Sequence, residues 1–277
     1  MVSEEIPLLR NACIVVAHPD DEVLWFSSIV TRVARVFICF LGNPTRPGLG
    51  RGRQAALRQP PLDGFISLGV DEADVYDLAR WPDPDPIPAG VALDKARDGA
   101  TERRYQGNFA RLTKELGNRL TGFDTVFTHN PWGEYGHEEH IQVYRAVRHL
   151  QDQLGFRLWC SSYGGSRTHA LMTRCLDGAR LESVTLNTDP AFALQAAQRY
   201  KENGVWTWYD DYVWPGIESF LRFMPPGSEK TGTRPVPLNY LDMGQPLLPL
   251  ADRSLRSLAR KVRRRLPLAA PDDTPPV

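Results

Sequence analysis

The sequence predicts an α/β fold: a Rossmann-like, mostly parallel sheet flanked by helices, with a less regular C-terminal extension. Apolar runs of strand length alternate with helical patterns across the first two-thirds of the 277 residues, the order that βαβ units impose. The chain is long enough to bury a good core, either as one large domain or as one domain with a small annex. Its composition is that of an ordinary soluble globule. The 33 Lys and Arg balance the 33 Asp and Glu, so no overall field draws nucleic acid or anionic substrates.

In chain order, "NACIVVA" reads as the first strand, "ARVFICFLG" as the second, "ADVYDL" as the third and "FDTVFTHN" as the fourth. "FRLWCSSY" and "LESVTL" extend the sheet. The intervening apolar spacing predicts helices over Asp21 to Val33, Arg51 to Leu68, Thr101 to Leu120 and His137 to Leu154, the second interrupted by Pro60 and Pro61. "WPDPDPIPAG", from Trp81 to Gly90, is rich in proline and reads as an extended surface loop able to act as a flap. Farther on, Trp206, Trp208, Tyr209, Tyr212 and Trp214 crowd into one segment, either a plain aromatic core or a wall for stacking sugar rings.

Residues 1–250 read as one domain and 251–277 as a basic helix and disordered tail. "LRSLARKVRRRL" sets Leu255, Leu258, Ala259, Val262 and Leu266 on one helical face and six basic residues on the others. Such a helix either packs on the domain or makes peripheral contact with the inner face of an anionic membrane. No stretch approaches the ~18 apolar residues of a membrane span, and the N-terminus lacks the pattern of a secretion signal. The four cysteines, Cys13, Cys39, Cys160 and Cys175, have no CxxC spacing, which suits reduced core thiols. A cytoplasmic protein is expected.

The first strand runs into "HPDDE". His18 and Asp21, three residues apart at a strand-to-helix turn, can both point at one ion, and zinc favours such ligands at ~2.0–2.2 Å. Pro19 at the helix start and the acids of the first turn also suit the helix dipole. Two ligands do not make a zinc site, and further donors stand in "THNPWGEYGHEEHIQV", where His137 and His140 share one side of a predicted helix start. That loop follows the fourth strand. Both clusters therefore sit beyond carboxyl ends of strands, where open α/β sheets bind their ligands.

"AHPDDE" followed far downstream by "GEYGHEEH" resembles the PIG-L/LmbE family of zinc-dependent N-acetylglucosaminyl deacetylases. The resemblance implies a Rossmann-like fold and a hydrolase that removes the N-acetyl group from an N-acetylglucosamine-type conjugate, free or lipid-linked. It implies Zn2+, or another divalent transition metal, held by His18, Asp21 and His140. Asp20 matches the general base, His137 a protonated aid to the tetrahedral intermediate and the leaving amine, and Tyr135 a mobile tyrosine that polarises the carbonyl. Here Glu138 and Glu139 replace the Pro-Asp of the family's usual HPDH, with Glu139 expected to orient His137. "LWFSS" replaces a usual glycine pair.

Arg51 and Arg53 serve either to grip a sugar hydroxyl or phosphate or as ordinary surface residues. His129 either lines the pocket or hydrogen-bonds the loop. A thiol-sugar or larger-acyl amidase is the nearest alternative activity. A non-catalytic sugar- or nucleotide-binding protein fits less well, because aspartates stand where a phosphate loop needs glycine and backbone N–H groups.

Overall fold

Eleven strands and six α-helices arise over the described residues of the computed structural model, 6–225 and 235–243. The strands are β1 Ala12–Val16, β2 Arg35–Gly42, β3 Ile66–Asp71, β4 Pro86–Ile87, β5 Gly90–Val91, β6 Thr125–Thr128, β7 Arg157–Ser161, β8 Tyr163–Gly165, β9 Leu181–Asn187, β10 Ile217–Phe223 and β11 Asn239–Leu241. The helices are α1 Asp21–Leu24, α2 Pro47–Ala56, α3 Gly99–Leu120, α4 Glu138–Leu154, α5 His169–Leu176 and α6 Pro190–Glu202. The segment expected to form a basic helix and tail, 251–277, lies outside the described residues.

Seven strands form one sheet in the order β3-β2-β1-β6-β7-β10-β9. The first five are parallel, and β10 runs antiparallel to both β7 and β9. This is the α/β architecture that the alternating pattern predicts. β1 is buried throughout, with Cys13, Val15 and Ala17 facing a core shared with Leu112, Leu116 and Leu120 of α3 and Val143, Val147 and Leu150 of α4. The leucines recur every four residues, so α3 turns one apolar stripe to the sheet. Each fully buried leucine stabilises that packing by about 1.5–3 kcal/mol. All four cysteines are unpaired, and Cys13, Cys39 and Cys160 are buried in strands. Among the described residues no helix is long and apolar enough to cross a membrane.

Chain order reverses between β1 and β6, and the crevice at such a switch point is where open sheets place their sites. His18 and Asp21 follow β1, and the loop to His137 follows β6.

Several elements differ from expectation. The third strand is "ISLGVD", not "ADVYDL", because Asp74 and Asp77 take φ of 59° and 66°, incompatible with an extended run. α1 stops at Leu24, since the backbone N–H groups of Ser27 and Ser28 donate to the buried Glu218 carboxylate at 3.2 and 2.8 Å. α2 begins earlier and ends at Ala56, ahead of Pro60 and Pro61. The proline-rich segment holds the β4–β5 hairpin. β10 follows the aromatic segment, where no strand is expected.

Candidate functional site

The turn after β1 is set by Asp20, whose φ of 108° is a left-handed conformation that a side chain disfavours. This turn sends two adjacent carboxylates in different directions. Asp21 faces the histidines. Asp20 is 1 % exposed and accepts hydrogen bonds at Oδ2 from Thr207 N (3.1 Å) and Thr207 Oγ1 (2.6 Å).

The loop after β6 is built around Asn130, whose Oδ1 accepts from the N–H groups of Trp132 and Glu134 while its amide donates to Tyr163 O. Gly133, at φ 70°, has room for no Cβ, which would lie 2.6 Å from His137 O. Gly136 takes φ 91° directly before His137. His137 caps α4, its Nδ1 accepting the N–H of Glu139 at 3.2 Å. The ring stacks on His140 at 4.7 Å and lies 4.8 Å from the His18 ring.

Asp21 is the meeting point. Its Oδ2 is 3.3 Å from His18 Nδ1 and its Oδ1 is 3.3 Å from His140 Nε2. Oδ2 also accepts His18 N at 2.7 Å, and Oδ1 accepts Trp25 Nε1 at 3.0 Å. The other nitrogen of each histidine is taken by a buried glutamate: His18 Nε2 lies 3.0 Å from Glu139 Oε2, and His140 Nδ1 lies 2.7 Å from Glu134 Oε2. His140 Nε2 is buried without a hydrogen-bond partner. Two imidazoles, each held from behind by a carboxylate and each turning a nitrogen to a third carboxylate, are an arrangement that could hold a divalent metal ion. The spatial groups able to hold an ion include His18, His137 and His140, and Asp21, His129 and His140.

Electrostatics separate the two aspartates. Burial would raise the Asp21 carboxyl, but His140, His129 and His18 hold it well below its ordinary range. Burial and the neighbouring Asp21 raise Asp20 to about 7, against the Thr207 hydrogen bonds and the Arg53 charge. Burial, then the charges at His140 and His18, push His137 well below its usual value. The protonated His137 that the resemblance implies runs against this electrostatic trend, which favours a neutral ring. Because Nδ1 accepts a backbone N–H, its proton sits on Nε2. Burial would lower His18 too, but Asp21, Glu139 and Glu72 bring it up to about 10.

The remaining residues separate. Arg53 is 3 % exposed and pairs with Glu72, which also lies 3.8 Å from His18 Nε2. Arg51, two positions away on α2, is exposed. His129 is fully buried behind His140, stacked at 3.9 Å, with Nε2 accepting Ala17 N at 2.8 Å and Nδ1 3.0 Å from Glu134 Oε2. Both nitrogens are engaged within the protein. Tyr135 is half-buried, its ring 4.9 Å from Trp208, 5.9 Å from Trp25 and 5.9 Å from His137. Glu139, expected to orient His137, reaches His18 instead.

Sequence reasoning missed Glu134, Glu72, Tyr76 and Thr207. Glu134 stands inside the second motif, and an acid so near two histidines is a signal for a group that orients them. Thr207 has no such signal, being 187 residues from Asp20. Tyr76, 5.1 Å from His137, comes from the segment misread as a strand.

No family model matches the chain. Over 143 residues it is 29% identical to the 1D-myo-inositol 2-acetamido-2-deoxy-alpha-D-glucopyranoside deacetylase of Mycolicibacterium vanbaalenii, covering 47% of this chain and 50% of that one. Over 71 residues it is 28% identical to a probable N-acetylglucosaminyl-phosphatidylinositol de-N-acetylase of Dictyostelium discoideum, covering 24% and 26%. Both relatives are named as deacetylases of amino-sugar conjugates. The aligned stretches span about a quarter to a half of their lengths. Among solved structures, a deacetylase of an antimicrobial pseudoaglycone aligns at TM-score 0.48 and 15% identity, over 79% of this chain and 98% of that one. Teicoplanin deacetylase in a zinc-inhibited form aligns at TM-score 0.45 and 15% identity, over 78% and 100%.

Proposed function

We propose that this protein is a metal-dependent N-deacetylase that hydrolyses the acetamide of an N-acetylglucosamine-type conjugate, releasing acetate and a free amine. The observation that carries the reading is the approach of His18 Nδ1 and His140 Nε2 to the two oxygens of Asp21, 3.3 Å each, with His140 Nε2 otherwise unpartnered. His18, Asp21 and His140 would hold the ion, zinc or another divalent transition metal. Such an ion supplies Lewis acidity and lowers the pKa of bound water from 15.7 to about 7. The names of the curated relatives support an amino-sugar substrate.

The residues around that position have divided tasks. Asp20, raised to about 7, is a base matched to neutral pH and takes the proton of the attacking water. His137 offers its Nε2–H to the developing oxyanion, an interaction typically worth about 3–4 kcal/mol per donor. A neutral imidazole has no readily lost proton, so the one held by Asp20 returns to the departing nitrogen. One residue thus serves as both base and acid. Tyr135, its hydroxyl held protonated by burial and by the charge of Asp21, adds a second donor. His129 and Arg53 position other groups, His129 through Ala17 and Glu134, Arg53 through Glu72.

Metal analysis of the purified protein, combined with acetate release from free and lipid-linked N-acetylglucosamine conjugates, tests this. Asp20→Ala should keep stoichiometric metal and lose at least about 100-fold in turnover, while His18→Ala and His140→Ala should lose metal. Near wild-type turnover in Asp20→Ala would remove the proposed base.

A further inference from the structure

Glu139 makes two contacts that no local pattern requires. It is 1 % exposed; Oε1 accepts Ala73 N at 2.6 Å, and Oε2 lies 3.0 Å from His18 Nε2, across 121 residues. Its neighbour Glu138 accepts the N–H groups of Asp77 (3.2 Å) and Ala79 (2.8 Å) and Trp81 Nε1 (3.1 Å). The two glutamates at the start of α4 therefore bind the loop after β3, and one of them also grips His18.

We propose that Glu139 is the positioning residue for His18, fixing the proton on Nε2 and presenting Nδ1 as the nitrogen that meets the metal. The inference rests on His18 being a metal ligand. With Nε2–H directed at a carboxylate, a neutral His18 ring would present the Nδ1 lone pair to a metal, and Nδ1 lies on the Asp21 side of the ring. His140 is arranged in the reverse sense, Glu134 holding Nδ1 and leaving Nε2 toward Asp21. The two imidazoles thus meet one position through different nitrogens.

Glu139 is not itself suited to be a ligand, although His18, Glu72 and Glu139 also lie close enough to surround an ion. Glu72 is occupied by Arg53 and by Asn43 Nδ2 at 2.6 Å. A cation there would sit beside a buried guanidinium. The Asp21 side instead offers the unpartnered His140 nitrogen.

Two measurements test this on the full chain. The first is nitrogen-15 NMR of zinc-loaded wild type, with the His18 ring assigned by its loss in His18→Gln. We expect a protonated Nε2 and a metal-bound Nδ1; a metal-bound Nε2 overturns the proposal. The second is the zinc dissociation constant of Glu139→Ala, by competition with a chromophoric chelator. We expect it to rise about 10–100-fold, and a folded variant within twofold of wild type overturns the proposal. Should Glu139→Ala fail to fold, the wild-type spectrum still decides. If the wild type takes up no zinc, the metal reading itself is refuted, a different result from zinc bound through Nε2.

Discussion

Thr207 donates to Asp20 through both its backbone N–H and its hydroxyl, and Thr207→Val keeps the side chain's shape while removing only the hydroxyl. These bonds favour the ionised carboxylate, so losing one raises the Asp20 pKa above its value of about 7. A hydrogen bond to a charged group contributes about 1.5–3 kcal/mol. Thr207 is exposed, so water replaces part of it and the lower figure applies. At about 1.36 kcal/mol per pKa unit, the shift is about one unit upward. If Asp20 acts as the base, the acid limb of the kcat/KM profile moves up by the same amount. At pH 7 the ionised fraction falls from about a half to about a tenth, a roughly fivefold loss that should vanish near pH 9. Acetate release measured from pH 5 to 9 reads this directly. A limb that stays in place, or a loss that persists undiminished at pH 9, would refute the assignment of Asp20 and its tuning by Thr207.

Glu134 engages His129, His140, Asn130 N and Ser161 while itself fully buried; removing one charge from such a buried network costs about 3–5 kcal/mol, so Glu134→Gln should lose that much in urea denaturation. Burial would raise this carboxyl, but His129 and His140 depress it to about 2; its stabilisation is present above the unfolded value of about 4.5 and is lost as pH falls toward 2, a slope that Glu134→Gln should lack. Glu22 behaves oppositely. Burial lifts it to about 8 despite the Tyr200 hydroxyl at 2.5 Å, so the folded state retains a proton that the unfolded chain has lost. Stability present below about pH 4.5 therefore declines as pH rises through 8, and Glu22→Gln should flatten that part of a thermal-melting series; an unchanged slope would show that Glu22 is ionised in the fold.

What the sequence by itself determined was whatever is encoded locally. The unbroken apolar run of β1, the four-residue repeat of leucines in α3 and the acid-rich start of α4 each specify an element through burial or propensity. Because β1 and β6 both end at the switch point, knowing those elements was enough to bring the two histidine motifs to one edge. Tertiary structure alone decided how each ring nitrogen is used and which groups carry protons. Glu139 reaches His18 rather than His137, Thr207 closes on Asp20 from 187 residues away, and burial with two neighbouring imidazoles pushes His137 well below its usual value. Such outcomes depend on desolvation and on distances between remote segments. Even the third strand followed this division, for the left-handed turns at Asp74 and Asp77 belong to a loop held by glutamates some sixty residues farther along the chain.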